Sequence, residues 1–152
     1  RLPFFPIYYS GQTKFTPIHC SDLIDIIYSV ISKNIDSKII ECVGPEILTF
    51  KEILEKLLES IGKKRLLLPF PLPLANLSAK IFQLLPKPLL TEDQLKLLKY
   101  DNVTSGKYKT NSDIGVPSGR FFSNEVKKYS FMWREGGQFS TDKYNIKKET
   151  IK

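Results

Sequence analysis

The chain has 152 residues, of which 41% are hydrophobic, 26% charged and 12% aromatic. That mix suits one globular domain or part of a larger one, and excludes a disordered tail, a collagen-like fibre and a disulfide scaffold. Lysine and arginine number 23 against 16 aspartate and glutamate, a net charge of +7, which is compatible with an anionic membrane face, nucleic acid or an acidic partner and selects none.

From the start, Leu2-Pro3-Phe4-Phe5-Pro6 reads as a proline-broken apolar lead-in. Ile7-Tyr8-Tyr9 and Phe15-Thr16-Pro17-Ile18 are short β-prone runs on either side of a turn at Ser10-Gly11-Gln12. Ser21 or Asp22 then caps a helix whose apolar face is Leu23, Ile26, Ile27, Val30 and Ile31. Lys38–Val43 is a strand stopped by Gly44-Pro45. Thr49 and Glu52 form a capping box. The helix behind it carries a stripe of Phe50, Ile53, Leu54, Leu57, Leu58 and Ile61, and Gly62 stands at its stop. On its polar face Glu52 and Lys56 are in the favourable i,i+4 order.

Arg65–Pro69 is a short apolar strand. Residues 66–90 are strongly hydrophobic, but prolines at 69, 71, 73, 86 and 88 and lysines at 80 and 87 leave no run of about 20 apolar residues to cross a membrane. Residues 74–85 read as a helix bounded by prolines, and Thr91 with Gln94 as a second capping box opening a helix through Leu95 and Leu98. Residues 102–120 are loop, 123–134 a short helix, and the polar tail from Gly136 is expected to fray.

Chemistry-bearing motifs are sparse. No glycine-rich phosphate loop, nucleophile elbow or H-E-x-x-H occurs. A Tyr-x-x-x-Lys pair stands at Tyr144 and Lys148, in the polar tail, where a chance occurrence is the simpler reading. Cys20, Cys42 and the single histidine, His19, cannot build a four-ligand zinc site, so no metal is expected. The thiols are expected to be buried and reduced. His19 ends a strand just before a helix, a common place for a ligand-facing residue. Of the basic residues 19 are lysines, spread along the chain. Nucleic-acid readers favour arginine in a concentrated stripe, so no nucleic-acid partner is expected.

Four stretches carry a family resemblance. KFTPIHCSDLIDIIYSVI (Lys14–Ile31) resembles the strand-to-helix turn that opens the C-terminal portion of extended short-chain dehydrogenases. ECVGPEILTFKEILEKLLESIGKKRLLLPFPLPLA (Glu41–Ala75) is similar to their NAD(P)-binding branch. PLLTEDQLKLLKYDNV (Pro88–Val103) and MWREGGQF (Met132–Phe139) resemble the nucleotide-binding accessory subunits of respiratory complex I, of the subunit-9 type.

The resemblance implies an α/β fold: the C-terminal subdomain of a Rossmann-type protein, with short strands, about four to five helices, and the Rossmann half absent. The implied divisions are the subdomain at 1–103, a loop at 104–122, a short helix and aromatic segment at 123–139, and a flexible tail at 140–152. The chain opens on Arg1 with no signal-peptide pattern and reads as a piece of a longer protein.

The implied role is that of an accessory or assembly subunit of NADH-ubiquinone oxidoreductase. It would be peripheral to the bacterial inner membrane or on the mitochondrial matrix side. NADPH or NADH would be held upstream, and no catalytic or cofactor-binding residue is expected in this chain. Implied partners are its own N-terminal Rossmann domain, complex I subunits and an anionic membrane surface, with docking around 66–90 and Tyr129–Trp133. The isolated chain would self-associate through the face that domain covers.

Relatives acting on sugar nucleotides carry R-D-x-x-H/Y-V-x-D at the strand-to-helix turn. Here His19 and Asp22 match, but Phe15 stands at the arginine position, with Lys14 beside it on the opposite face of an extended strand. That departure disfavours nucleotide-sugar chemistry. The alternative is an active NAD(P)-dependent oxidoreductase or epimerase on an isoprenoid, quinone-related or sugar-nucleotide substrate, with Lys14, His19 and Asp22 facing the cleft. A third reading is a free-standing basic interaction module.

Overall fold

The structure is a computed structural model and describes residues 4–36, 38–71, 92–134 and 137. Among them the chain is mixed α/β, with short strands and four α-helices. The strands are β1 (Phe4–Ile7), β2 (Lys14–Phe15), β3 (Ile40–Glu41), β4 (Leu48–Thr49), β5 (Leu66–Pro69) and β6 (Lys109–Thr110). The helices are α1 (Cys20–Ser32), α2 (Phe50–Ser60), α3 (Glu92–Leu97) and α4 (Phe122–Tyr129).

The strands pair two by two. β1 runs parallel to β5, β3 parallel to β6, and β2 antiparallel to β4. From Phe4 on, the apolar lead-in is therefore itself a strand: Phe4 pairs with Leu66 and Ile7 with Pro69. Tyr8–Gly11, expected as strand and turn, is a tight 3-10 turn with left-handed Tyr9 and Ser10. The two runs expected at 15–18 and 38–43 shrink to two-residue ladders at Lys14–Phe15 and Ile40–Glu41. Proline at 17 has no N–H to donate to a ladder, and the Val43 N–H goes to the Asn111 side chain instead, at 2.9 Å.

The second helix follows its sequence closely. The Thr49 hydroxyl accepts from the Glu52 N–H at 3.2 Å, and the Glu52 carboxylate accepts from the Thr49 N–H at 2.7 Å. Two orphan donors are thereby satisfied reciprocally. Gly62 follows the Ile61 C-cap with φ +67, the left-handed stop that glycine adopts without strain. All six residues of the apolar stripe are half-buried. The polar face departs in one respect: Lys51 pairs with Glu55 at 3.8 Å, while Lys56 donates to Ser123 Oγ at 2.8 Å and ties α2 to α4.

The first helix starts earlier than expected. Its cap is neither Ser21 nor Asp22 but His19, whose Nδ1 accepts from the Ser21 N–H at 3.2 Å. The thiols also depart from expectation, Cys20 being exposed on the first turn and Cys42 half-buried. Burial pushes the Cys42 thiol up from its ordinary value.

The stretch expected as loop holds β6, a 3-10 turn at Ser112–Ile114 and the buried Asn111. The helix expected at 123–134 is α4 followed by a 3-10 turn at Ser130–Trp133. The helix expected at 74–85, Thr91 of the second capping box, the Tyr144/Lys148 pair and the tail from Gln138 lie outside the described residues. Among the described residues no helix is long and apolar enough to cross a membrane.

The fully buried apolar set among the described residues is small: Ile7, Ile26, Leu48, Leu95 and Val126. Polar groups complete the interior. Asn111 Nδ2 donates to the Val116 carbonyl at 3.0 Å and to Ser118 Oγ at 3.1 Å, and the Ser118 hydroxyl donates to the Val43 carbonyl at 2.7 Å. Each of these polar groups is answered, which is what makes a buried amide tolerable. The loop after β3 packs equally closely. A Cβ on Gly44 would sit 1.8 Å from the Pro17 carbonyl oxygen, so no larger residue fits.

Candidate functional site

His19, Asp22 and Lys14 were the residues expected to face a cleft. The structure brings the first two together and leaves the third apart. Lys14 sits on β2 with an exposed side chain; its backbone N–H donates to Asp101 Oδ1 at 2.9 Å, and its carbonyl accepts from Asn102 at 2.8 Å. Phe15, its neighbour, turns inward against Phe50 with ring centroids 6.3 Å apart. The opposite-face relation expected of adjacent strand residues is what is observed.

Asp22 is 6% exposed. Its carboxylate accepts from the Arg120 N–H at 3.1 Å and from Arg120 Nη1. Arg120 also reaches Asp25 at 3.4 Å. The Asp22 hydrogen bond raises the Arg120 guanidinium above its ordinary value, keeping it charged. His19 is bonded at one nitrogen and turns the other toward a carboxylate. Nδ1 is the helix cap, and Nε2 faces Glu125 Oε2 at 3.7 Å. Glu125 in turn accepts from Lys128 Nζ at 2.7 Å, which holds its carboxyl below the usual range.

Chemically, this is a clamp between α1 and α4. A general base needs an acceptor free to take a proton from a bound substrate. The Asp22 oxygens are spent on Arg120, and the His19 acceptor nitrogen is spent on its own helix. Arg120, Glu125 and Lys128 went unnoticed in the sequence because they lie about a hundred residues from α1. The available signal was modest: Arg120 is one of only four arginines and stands directly before the aromatic pair Phe121-Phe122.

Among the described residues no group of three His, Cys, Asp or Glu could hold a metal ion. Two open clefts among the described residues stand near the strands. One, of about 420 Å³, is lined by Thr16–Ile18, Glu41–Val43 and Asn102–Thr104. The other, of about 480 Å³, lies beside β3 and β6. Neither reaches His19 or Asp22.

The other conspicuous surface is apolar. On α1, Ile24, Ile27, Tyr28 and Ile31 are all exposed. They recur at i, i+3, i+4 and i+7, which places them on one side of the helix. The expected core face therefore splits: Ile26 is buried, Leu23 and Val30 are half-buried, and Ile27 and Ile31 face out. The aromatic segment expected to dock is also exposed at Tyr129, Met132 and Trp133, as are Leu66 and Leu68 of β5.

No protein-family model matches the chain. No curated protein is significantly similar to it.

Proposed function

We propose that this chain is the C-terminal, non-catalytic subdomain of an NAD(P)-binding protein of the extended short-chain-dehydrogenase type. The whole protein serves as an accessory or assembly subunit of NADH-ubiquinone oxidoreductase at the membrane surface. The cofactor, NADPH or NADH, is held by a Rossmann half upstream.

One observation carries the reading: the solvent-facing stripe of Ile24, Ile27, Tyr28 and Ile31. Isolated exposed apolar residues need no explanation, but four on one helix side form a surface suited to burial against another element. The resemblance of Lys14–Ile31 to the strand-to-helix turn of the extended enzymes supports the nucleotide-binding half as that element. The engagement of His19 and Asp22 in a clamp supports a role without chemistry in this part of the protein. The parallel pairings of β1 with β5 and β3 with β6 suit an α/β protein, since parallel strands need crossover connections.

The experiment is a native gel of gently solubilised membranes from the protein's own cells, stained for NADH dehydrogenase activity. The protein migrates with the activity. A protein running alone and free of membranes contradicts the assignment and favours a soluble NAD(P)-dependent enzyme.

A further inference from the structure

We propose that the cleft beside β3 and β6 binds a single-chain anionic amphiphile, a medium-chain carboxylate in chemical class. Its volume of about 480 Å³ falls in the range of small-molecule sites. Two kinds of residue line it. Ile35, Ile39 and Ile40 offer an aliphatic floor, and Lys38, Lys107 and Lys109 offer three cations. Ile39 is 62% exposed, so much of that floor is wet when the cleft is empty.

The cations are set together by the strand pairing. Ile40 pairs with Lys109 in parallel register. Lys38 and Lys107, each two residues before that pair, line the same cleft. Like charges gathered at one cleft repel. The nearby carboxylates are bonded to other donors. Glu41 accepts from the Ser105 N–H at 3.0 Å, and Asp113 accepts from the Thr110 N–H at 2.7 Å and from its hydroxyl at 2.9 Å. Lys109 lies near enough to Asp113 to help lower its carboxyl, yet among the described residues none of the three lysines forms an ion pair within 4.0 Å. At the α1 end, Lys33 Nζ donates to the Ile114 carbonyl at 3.0 Å, joining the helix terminus to the 3-10 turn beside the cleft.

The occupant must answer both features. A free inorganic anion would leave the isoleucines in water, and a neutral hydrocarbon would leave three ammonium groups uncompensated. An alkyl chain ending in a carboxylate buries the first and neutralises the second. The site uses no residue of the α1–α4 clamp and stands independently of the cofactor reading.

The test is calorimetric titration of the protein with decanoate below its micellar concentration. Inorganic phosphate, decyltrimethylammonium and phosphatidylglycerol vesicles serve as comparators. Decanoate binds saturably at one site, and neither phosphate nor the cationic amphiphile does. The double substitution Lys107→Glu/Lys109→Glu weakens decanoate by about tenfold or more. Lys38→Ala, a milder change at an exposed position, weakens it by about threefold and guards against misfolding of the first variant. The proposal is overturned if decanoate does not saturate, or if phosphate binds as well as decanoate. Vesicle binding without decanoate binding, or folded variants that bind decanoate as the parent does, also overturns it.

Discussion

On α1, Asp22 and Ile26 are 6% and 2% exposed, while Ile24 and Ile31 are 63% and 70% exposed. Two sides of one helix, both carrying apolar residues, meet opposite fates. The buried side is held by partners from far along the chain: Arg120 on Asp22, and Glu125 opposite the His19 cap. The outer side has no comparable partner among the described residues. The difference teaches that apolar periodicity identifies surfaces that want covering, and says nothing of which one this chain covers itself.

The largest losses are expected where the chain's own interior is most closely packed. Gly44→Ala forces a methyl into the Pro17 carbonyl and is expected to cost about 3 kcal/mol, as overpacking against backbone does. Asn111→Ala strands the Val43 N–H and the Val116 carbonyl and should cost a similar amount, about 3 kcal/mol. Urea unfolding of each variant checks both, and a loss under about 1 kcal/mol would show that this interior relaxes freely. Asp22→Ala removes the acceptor of the Arg120 N–H and should cost about 2 kcal/mol. Its far-ultraviolet spectrum should be unchanged, because His19, not Asp22, caps α1.

Smaller effects sharpen the picture. Thr49→Ala loses the α2 cap and should cost about 1 kcal/mol. The same box gives a pH dependence. Hydrogen bonds from the Thr49 N–H and hydroxyl hold the Glu52 carboxyl below its ordinary 4.5. The folded state therefore binds fewer protons there than the unfolded state. The stabilisation is complete above that ordinary value and is lost as pH falls through the lower folded one. Asp113 behaves in the same way, through its bonds from Thr110. Glu52→Gln should flatten the acid limb of stability against pH, measured by urea midpoints from about pH 7 to about pH 3.

Local rules carried the reading of α2: the capping box, the stripe and the glycine stop are all short-range signals, and each is found in place. Strand extents were less readable. Runs such as Lys38–Val43 have the right composition, but their partners, Lys109 and Thr110, sit in a stretch whose glycines, serines and lysines read as loop. Asn111 was hidden for the same reason, since its burial depends on Val43, Val116 and Ser118 closing round it. At the candidate site, the proximity of His19 and Asp22 follows from their spacing at the start of one helix. Arg120 and Glu125 are brought there by tertiary packing, which no local pattern announces.

The most direct test of the central claim compares one substitution in two settings. Ile27→Ser is made in this chain, at dilute concentration, and in the longer protein proposed to carry a nucleotide-binding half. Unfolding is followed by urea in each. The account predicts a change within about 0.5 kcal/mol in the chain alone, as for an exposed position, and a loss of about 2 kcal/mol or more in the longer protein, as for a buried one. Equal effects in the two settings would contradict it, because the outer face of α1 would then be no interface to that half.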